Sequence, residues 1–248
     1  MEIEYFIRER DWMTTFDHWL TAMHKWCALI GLKKERIQEK EHPQDKLSHY
    51  SKRTVDLVYE FPFGWNELYG LAYRTDFDLK SHAQHSGENL EYIDPETKER
   101  WIPHVIEPTF GVERTLLALL CDAYEEETLE NGEMRTVLHF APWIAPVKVA
   151  VFPLMKKEPL SEKAESVFAQ LNALWHCEYD ASGAIGKRYR RQDELGTPFC
   201  VTIDFDTLSD DTVTVRDRDS MQQERVPVAQ LIPFLASRLQ PPFGHVPK

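Results

Sequence analysis

A carboxylate, a hydroxyl and an arginine occur together where an apolar segment leads into a leucine-rich helix. In the stretch HVIEPTFGVERTLLALL, residues 104–120, Glu107 and Thr109 precede Gly111, and Arg114 follows three residues later. A helix N-terminus offers unpaired backbone N–H groups and a partial positive charge, and a glycine there lets an anion approach the backbone. The planar guanidinium of Arg114 suits phosphate oxygens. Residues 111–114 taken alone are better explained if Arg114 is an ordinary solvated arginine on a helix, without a role in binding.

A second pair of charged residues lies on a predicted strand, in the stretch FPFGWNELYGLAYR (residues 61–74). Strict alternation along that strand places Glu67 and Arg74 on opposite faces. A β-bulge near Gly70, or a strand that ends before Arg74, would bring both side chains to one site. The small residues Gly70 and Ala72 would let backbone form a close wall there.

The most concentrated basic patch is GKRYRRQDE, residues 186–194. Clustered lysine and arginine are what contact with a nucleic-acid backbone requires. The ordinary fate of such a run is a solvated helix face. Because the chain as a whole carries a net charge of −12, a local patch indicates a specific RNA contact rather than indiscriminate coating of nucleic acid.

Hydrophobic periodicity predicts the elements that must position these residues. Residues 1–7 alternate as a strand, and apolar residues recur at helical spacing from Trp12 to Ile30. Two strands are predicted to meet at a turn at residues 62–64, and a polar surface excursion follows. The helix after Gly111 is predicted to run to Glu127. From residue 147 to 239 strands alternate with helices, which indicates an α/β module.

Composition narrows the classes of protein. With 248 residues and 42% hydrophobic content, the chain can fill one large or two ordinary cores. Its four cysteines are far apart, without a CxxC pair or a Cys/His cluster, so the cysteines indicate neither a zinc site nor a disulfide framework. The sequence lacks a signal-peptide layout and any apolar run of about 20 residues, so we expect a cytoplasmic protein without membrane contact.

Five stretches of the sequence resemble one enzyme family in order and spacing. VIEPTFGVERTLLALL resembles motif 3 of the class II aminoacyl-tRNA synthetases, and its IEP prefix resembles the glycyl-tRNA synthetases of the bacterial dimeric type. FPFGWNELYGLAYRTDFDLKSHAQHSG resembles their glycine-site segment. VKVAVFPLMKK, GAIGKRYRRQDELGTPFCVTIDFD and TVTVRDRDSMQQERV resemble their anticodon-binding domain. The resemblance implies an α+β fold, in which a partial class II antiparallel sheet precedes a mixed α/β anticodon-binding domain.

The resemblance also implies the glycine site. Glycine offers only an ammonium and a carboxylate, so a site must grip them with acids and an arginine. The pocket must therefore exclude larger amino acids by its small size. Rejecting a substrate with one extra methylene in this way contributes only about 1–3 kcal/mol of discrimination. The positions that match the family's glycine pocket are Glu2, Arg74, Glu107, Pro108, Thr109, Phe110 and Gly111. Thr109 departs from the usual serine by one methyl group.

The remaining implied partners are ATP, Mg²⁺ and the tRNA for glycine. The positions that match the ATP site are Glu67, Leu68, Gly111, Val112, Glu113 and Arg114. Arg114 matches the arginine that holds the γ-phosphate and is the residue assigned to catalysis. The resemblance leaves the Mg²⁺ ligands unidentified. The residues predicted to contact tRNA are Lys187, Arg188, Arg190 and Arg191.

We expect residues 1–145 to be the C-terminal part of a class II catalytic domain, with a helical insertion at about 10–50, and residues 146–248 to be the anticodon-binding domain. The family's dimer-forming motif 1 and its motif 2, whose arginine grips the α-phosphate, would precede Met1. The expected function is therefore that of a glycine–tRNA ligase part that is inactive alone and homodimeric only when full length. The alternative is a non-catalytic tRNA-binding or accessory paralogue.

Overall fold

In the computed structural model, which describes residues 1–242, the chain forms two compact units. The first unit ends at Cys121, and the second begins at Asp122. No helix within residues 1–242 has both the length and the apolar character needed to cross a membrane.

The first unit is built around an antiparallel sheet. Its elements in chain order are β1 (Tyr5–Ile7), α1 (Trp12–Leu29), β2 (Ile37–Glu41), β3 (Arg53–Phe61), β4 (Gly64–Thr75), α2 (Phe77–Ser86), β5 (Tyr92–Ile93), β6 (Arg100–Trp101), β7 (His104–Phe110) and α3 (Val112–Ala123). Five strands pair in the order β1-β7-β4-β3-β2, and β5 and β6 form a separate two-stranded sheet. The turn between β3 and β4 is closed by Gly64, whose φ of 105° favours glycine.

One face of this sheet is its core. Leu71 and Tyr73 of β4 are fully buried, and Trp12 of α1 stacks on Tyr73 with ring centroids 4.6 Å apart. The indole N–H of Trp26 donates to the Tyr69 hydroxyl over 3.2 Å. Successive residues of a strand point to opposite faces of the sheet. Because Tyr69, Leu71 and Tyr73 face the core, the alternate residues of β4 lie on the other face, which carries the predicted site residues.

The second unit is a mixed sheet between helices. Its elements are β8 (Tyr124–Thr128), β9 (Met134–Leu138), β10 (Val149–Pro153), α4 (Leu160–Asn172), β11 (Cys177–Tyr179), α5 (Ile185–Leu195), β12 (Phe199–Ile203), α6 (Thr207–Asp210), β13 (Thr212–Asp217), β14 (Gln223–Pro227) and α7 (Val228–Leu239). The strand order is β11-β10-β12-β13-β14, with the first three strands parallel and the last two antiparallel. The apolar faces of α4 and α7 cover one side, and α5 packs on the other through Ile185 and Tyr189.

This architecture confirms the expected antiparallel sheet followed by a mixed α/β unit. Two local predictions were wrong. The insertion at about residues 10–50 is not wholly helical, because β2 adds an edge strand beside β3. The polar excursion lies at the surface, as predicted, and it also contains α2 and the β5–β6 hairpin. The helix predicted to reach Glu127 ends at Ala123, since residues 124–128 pair with β9 and tertiary pairing outweighs the helix propensity of glutamate.

The hairpin of β8 and β9 lies ahead of the expected domain boundary near residue 145, yet the structure groups it with the second unit. A buried ion cluster joins it to α5. Asp193 of α5 is fully buried and accepts a hydrogen bond from Arg135 Nε of β9 at 2.9 Å. Arg216 of β13 donates to both oxygens of the same carboxylate. The domain boundary at residue 145 stays a prediction, and the second compact unit begins earlier, at Asp122.

Candidate functional site

A β-bulge in β4 brings the charged residues of that strand to one face. Leu57 of β3 lies opposite Tyr69, and the next residue, Val58, lies opposite Glu67, so Leu68 is the extra residue. The position of a Cβ on Gly70 would be 3.9 Å from Glu67 Oε1, which places Glu67 on the Gly70 face. A second irregularity at Arg74 interrupts the pairing with β7. Of the two alternatives left open by the sequence, the bulge near Gly70 is the one the structure contains.

Arg74 and Glu107 form the centre of this face. Arg74 Nη1 lies 2.8 Å from Glu107 Oε2, and the two side chains are 18% and 14% exposed. Asp78 holds the rest of the guanidinium, with Nε to Oδ2 at 2.7 Å and Nη2 to Oδ1 at 3.0 Å. Tyr50 lies against the guanidinium plane, 4.1 Å from its carbon to the ring centroid. Arg74 is therefore fixed in position on three sides.

Two further carboxylates border Glu107. Glu2 forms an isolated bridge with Thr109, and the register of β1 with β7 places Glu4 opposite Glu107. Burial raises the pKa of the Glu107 carboxyl, Arg74 opposes that effect, and the negative charges of Glu4 and Glu2 add to it. The hydrogen bond from Arg74 lowers the pKa of Asp78. A cluster of acids around one arginine is suited to an ammonium group beside a carboxylate.

The floor of the face consists of small residues. Gly70 pairs with Thr109, and Ala72 pairs with Glu107, in the register of β4 with β7. The Thr109 hydroxyl donates to Glu107 Oε1 over 3.4 Å. Because directly opposed residues share a face, these four residues line one shallow surface.

The helix α3 begins at the end of β7, beside the same face. Arg114 Nη1 donates to the backbone carbonyl of Glu67 over 2.6 Å and lies 3.7 Å from its carboxylate. The Arg114 side chain is 51% exposed, so its guanidinium can be reached from solvent. The Thr115 hydroxyl donates to the Gly111 carbonyl and lies 2.8 Å from the Tyr69 hydroxyl, which anchors the helix start to β4.

Not every predicted residue presents its side chain to this surface. Leu68 is 1% exposed, so its side chain belongs to the core and only its backbone is available for the predicted contact with ATP. Pro108 is buried within β7, and its carbonyl accepts a bond from the N–H of Ile3. Phe110 packs on Tyr69 with ring centroids 4.8 Å apart. Val112 and Glu113 are exposed in the first turn of α3.

In the second unit, the predicted basic patch divides into separate environments. Arg188 is 3% exposed, and its guanidinium donates to the carbonyls of Pro153 and Gly183, so the prediction that it contacts tRNA was wrong. Arg191 is exposed and is bound to Asp180. Lys187 is exposed on α5, and Arg190 is partly exposed, 3.7 Å from Glu133 and 3.8 Å from Asp193. On a helix with about 100° per residue, Arg188 lies about 160° around the axis from Arg190 and about 100° from Lys187, so these residues do not share one face.

Sequence reasoning missed several residues of the first unit that contact the predicted ones. Glu4, Tyr50 and Asp78 each act on the Arg74–Glu107 pair. Asp56, on β3, pairs with Gly70 and lies 2.7 Å from His42. The alternation of Glu2 and Glu4 was a usable signal for Glu4. Tyr50 comes from a segment outside the strands and helices, where periodicity carries no information.

Comparison of the sequence with known proteins shows what this chain resembles. Residues 148–238 match the family described as "Anticodon binding domain". The chain is 50% identical to the glycine–tRNA ligase of Acetivibrio thermocellus over 238 residues, and the alignment covers 96% of this chain and 51% of the relative. Nearly the whole chain is thus similar to part of a glycine–tRNA ligase.

Other glycine–tRNA ligases match to the same extent. The enzyme of Clostridium acetobutylicum is 50% identical over 240 residues, covering 97% of this chain and 52% of the relative. The enzyme of Staphylococcus aureus strain JH9 is 51% identical over 239 residues, and the alignment covers 96% of this chain and 51% of the relative. The chain thus spans about half the length of the curated relatives it matches, namely their C-terminal part.

Proposed function

We propose that this chain is the part of a glycine–tRNA ligase that supplies most of the glycine pocket, the γ-phosphate end of the ATP site and the anticodon-binding domain. The observation that carries the proposal is the Arg74–Glu107 pair, set among acidic residues over the small residues Gly70 and Ala72. Arg74 would hold the glycine carboxylate, and Glu107 with Glu2 and Glu4 would hold its ammonium.

The proposed ATP contacts follow from the start of α3. Arg114 and the N-terminal N–H groups of the helix would meet the γ-phosphate, since both are accessible and of the right charge. Mg²⁺ prefers oxygen ligands and accompanies substrate phosphates. Glu67 and Asp56 would be the carboxylates nearest such an ion, because both border Gly70, each with an oxygen 3.9 Å from the position of a Cβ on that residue. Mg²⁺ would neutralise phosphate charge at this edge of the face.

The tRNA contact is proposed for the second unit. The parallel strands β10, β11 and β12 end at one edge of the sheet, and α5 begins at that edge. Exposed residues there include Lys156, Lys157, Lys187 and Phe205, the last 58% exposed. Lysines contribute backbone affinity, and an exposed ring offers a surface on which an unpaired base stacks.

The half of the relatives that this chain does not match would complete the enzyme. An apolar groove in the first unit is lined by Ile3, Trp19 and Trp26 on one side and by Val112 and Leu116 of α3 on the other. Exposed apolar surface of this kind marks a contact site. We propose that the remaining half, in a homodimer within the cytoplasm, covers this groove.

Glycine-dependent exchange of pyrophosphate into ATP tests the proposal. A chimera that joins this chain to the unmatched half of the Clostridium acetobutylicum relative should catalyse exchange with glycine and discriminate against alanine by about ten- to two-hundredfold. The chain alone should be inactive, because the α-phosphate contacts of motif 2 are expected in the other half. A folded, dimeric chimera that binds tRNA without any exchange would instead support the non-catalytic paralogue.

A further inference from the structure

Metal-ligating side chains that have no role in the functions proposed above converge on the β8–β9 hairpin of the second unit. Glu125 and Glu127 alternate along β8, and His139 directly follows β9. The backbone N–H of His139 donates to the Ala123 carbonyl over 2.7 Å, which continues the strand pairing and keeps His139 on the face of the two glutamates. One ligand atom from each of the three residues lies within 4.8 Å of the others.

Two of the three side chains, His139 and Glu127, are each oriented by a further charged group. Asp219 Oδ1 lies 2.6 Å from His139 Nδ1, and Arg218 holds the Asp219 carboxylate with Nε and Nη2 at 2.7 and 2.9 Å. Arg135 Nη1 binds Glu127 Oε2 at 2.7 Å, which leaves Oε1 facing the histidine. A carboxylate on one imidazole nitrogen is the arrangement that orients a histidine whose other nitrogen binds metal.

The polar atoms around His139 Nε2 are arranged so that they can hold a cation. Nε2 lies 3.0 Å from Glu127 Oε1 and 3.8 Å from Glu125 Oε2. An imidazole nitrogen can offer a lone pair to a metal ion, and the two carboxylate oxygens attract the same ion.

The spacing suits a small transition-metal ion. Zn²⁺ binds imidazole nitrogen and carboxylate oxygen at about 2.0–2.2 Å, so tetrahedral ligand atoms lie about 3.3–3.6 Å apart. The two observed separations, 3.0 and 3.8 Å, lie on either side of this value. Glu125 is 56% exposed and His139 is 25% exposed, so an ion can enter from solvent and keep a water as its fourth ligand.

We propose that His139, Glu125 and Glu127 bind one divalent transition-metal ion of the Zn²⁺ type. Through Asp219 the ion would link the β8–β9 hairpin to the turn between β13 and β14. The metal site does not depend on the proposed glycine and tRNA binding. If the metal-binding experiment fails, the proposed function is unaffected, and the converse also holds.

Calorimetric titration of the 248-residue chain with Zn²⁺ tests this site. We expect one equivalent to bind with micromolar or tighter affinity, and Ca²⁺ not to compete, because it prefers six to eight oxygen ligands. Glu125→Gln should weaken Zn²⁺ binding at least about tenfold. It removes an exposed carboxylate and should leave the fold unchanged, as circular dichroism can verify. Glu126→Gln is the matched control: it removes the same charge from the opposite face of β8 and should leave the affinity unchanged.

His139→Gln should abolish stoichiometric binding. Absence of binding below millimolar Zn²⁺ would overturn the proposal. So would equal affinity of the Glu125→Gln and Glu126→Gln variants, which would assign the zinc to other groups such as the Cys121 thiol. Imidazole ¹⁵N resonances that show His139 doubly protonated, and unchanged when Zn²⁺ is added, would identify a proton as the bridging cation and would likewise overturn it.

Discussion

Removal of the Glu107 charge is the sharpest test of the proposed glycine pocket. In the chimera, Glu107→Gln keeps the size of the side chain and its ability to accept a hydrogen bond from Thr109. It removes one of the carboxylates proposed to hold the substrate ammonium. Arg74 should keep its position, because Asp78 binds it through two nitrogens and Tyr50 covers its face. The defect should therefore be confined to the ammonium end of glycine.

The magnitude follows from the partial burial of this pair. A hydrogen bond to a charged group contributes about 1.5–3 kcal/mol, which corresponds to roughly a ten- to hundredfold loss of kcat/KM for glycine. Glu2 and Glu4 remain near the ammonium, so the loss should not be complete. Glu41→Gln, which removes an exposed carboxylate paired with Arg53, should leave exchange unchanged.

A pH profile gives a second measurement on the same variant. Because burial and neighbouring acids raise the pKa of Glu107, its charge is lost at a higher pH than that of an ordinary glutamate as the solution is acidified. The parent chimera should therefore lose kcat/KM for glycine on the acid side, and Glu107→Gln should lack that decline. Exchange by Glu107→Gln within twofold of the parent, with an identical acid limb, would refute the assignment of Glu107.

Four other outcomes are expected. Thr109→Ser should retain glycine exchange in the chimera, since the hydroxyl that donates to Glu107 is kept. Arg114→Ala should lower exchange by at least about a hundredfold, through loss of a positioned cation at the triphosphate. Asp193→Asn should destabilise the second unit by about 3–5 kcal/mol in urea unfolding, because it leaves buried arginines without their carboxylate. Replacing Lys187 and Arg190 together with alanine should weaken tRNA binding and lower its salt slope by about 1–2.

Each of these outcomes has a contrary result. A Thr109→Ser variant without exchange would make the methyl group part of the pocket wall. An active Arg114→Ala chimera would place the γ-phosphate elsewhere. Unfolding of Asp193→Asn at the parent's urea midpoint would mean that solvent reaches the cluster. An unchanged tRNA salt slope, matched by a Lys163→Ala control on α4, would leave α5 as a solvated helix face.

Local sequence determined the start of α3 and the types of residue around it. Gly111, Arg114 and the leucine spacing are contained in ten residues, and a helix begins there because its start signals are local. The strand–turn–strand of β3 and β4 was predictable for the same reason. The resemblance to a family singled out Glu2, Glu107 and Arg74 without any geometry, though it did not single out Glu4 or Asp78. The relatives bear out that resemblance over 96% of the chain.

Tertiary structure decided which of those residues meet. Glu67 and Arg74 share a face only because Leu68 is an extra residue opposite the Leu57–Val58 step, and strand pairing across distant residues is what creates a bulge. Tertiary structure also determined the environment of Arg188, which is buried and donates to the carbonyls of Pro153 and Gly183. Composition alone cannot distinguish such a buried arginine from a solvated one. Residues 124–128 became a strand because β9 supplied a partner. Periodicity reports the preferences of one segment, whereas register, bulges and buried partners depend on segments that lie far apart in the chain.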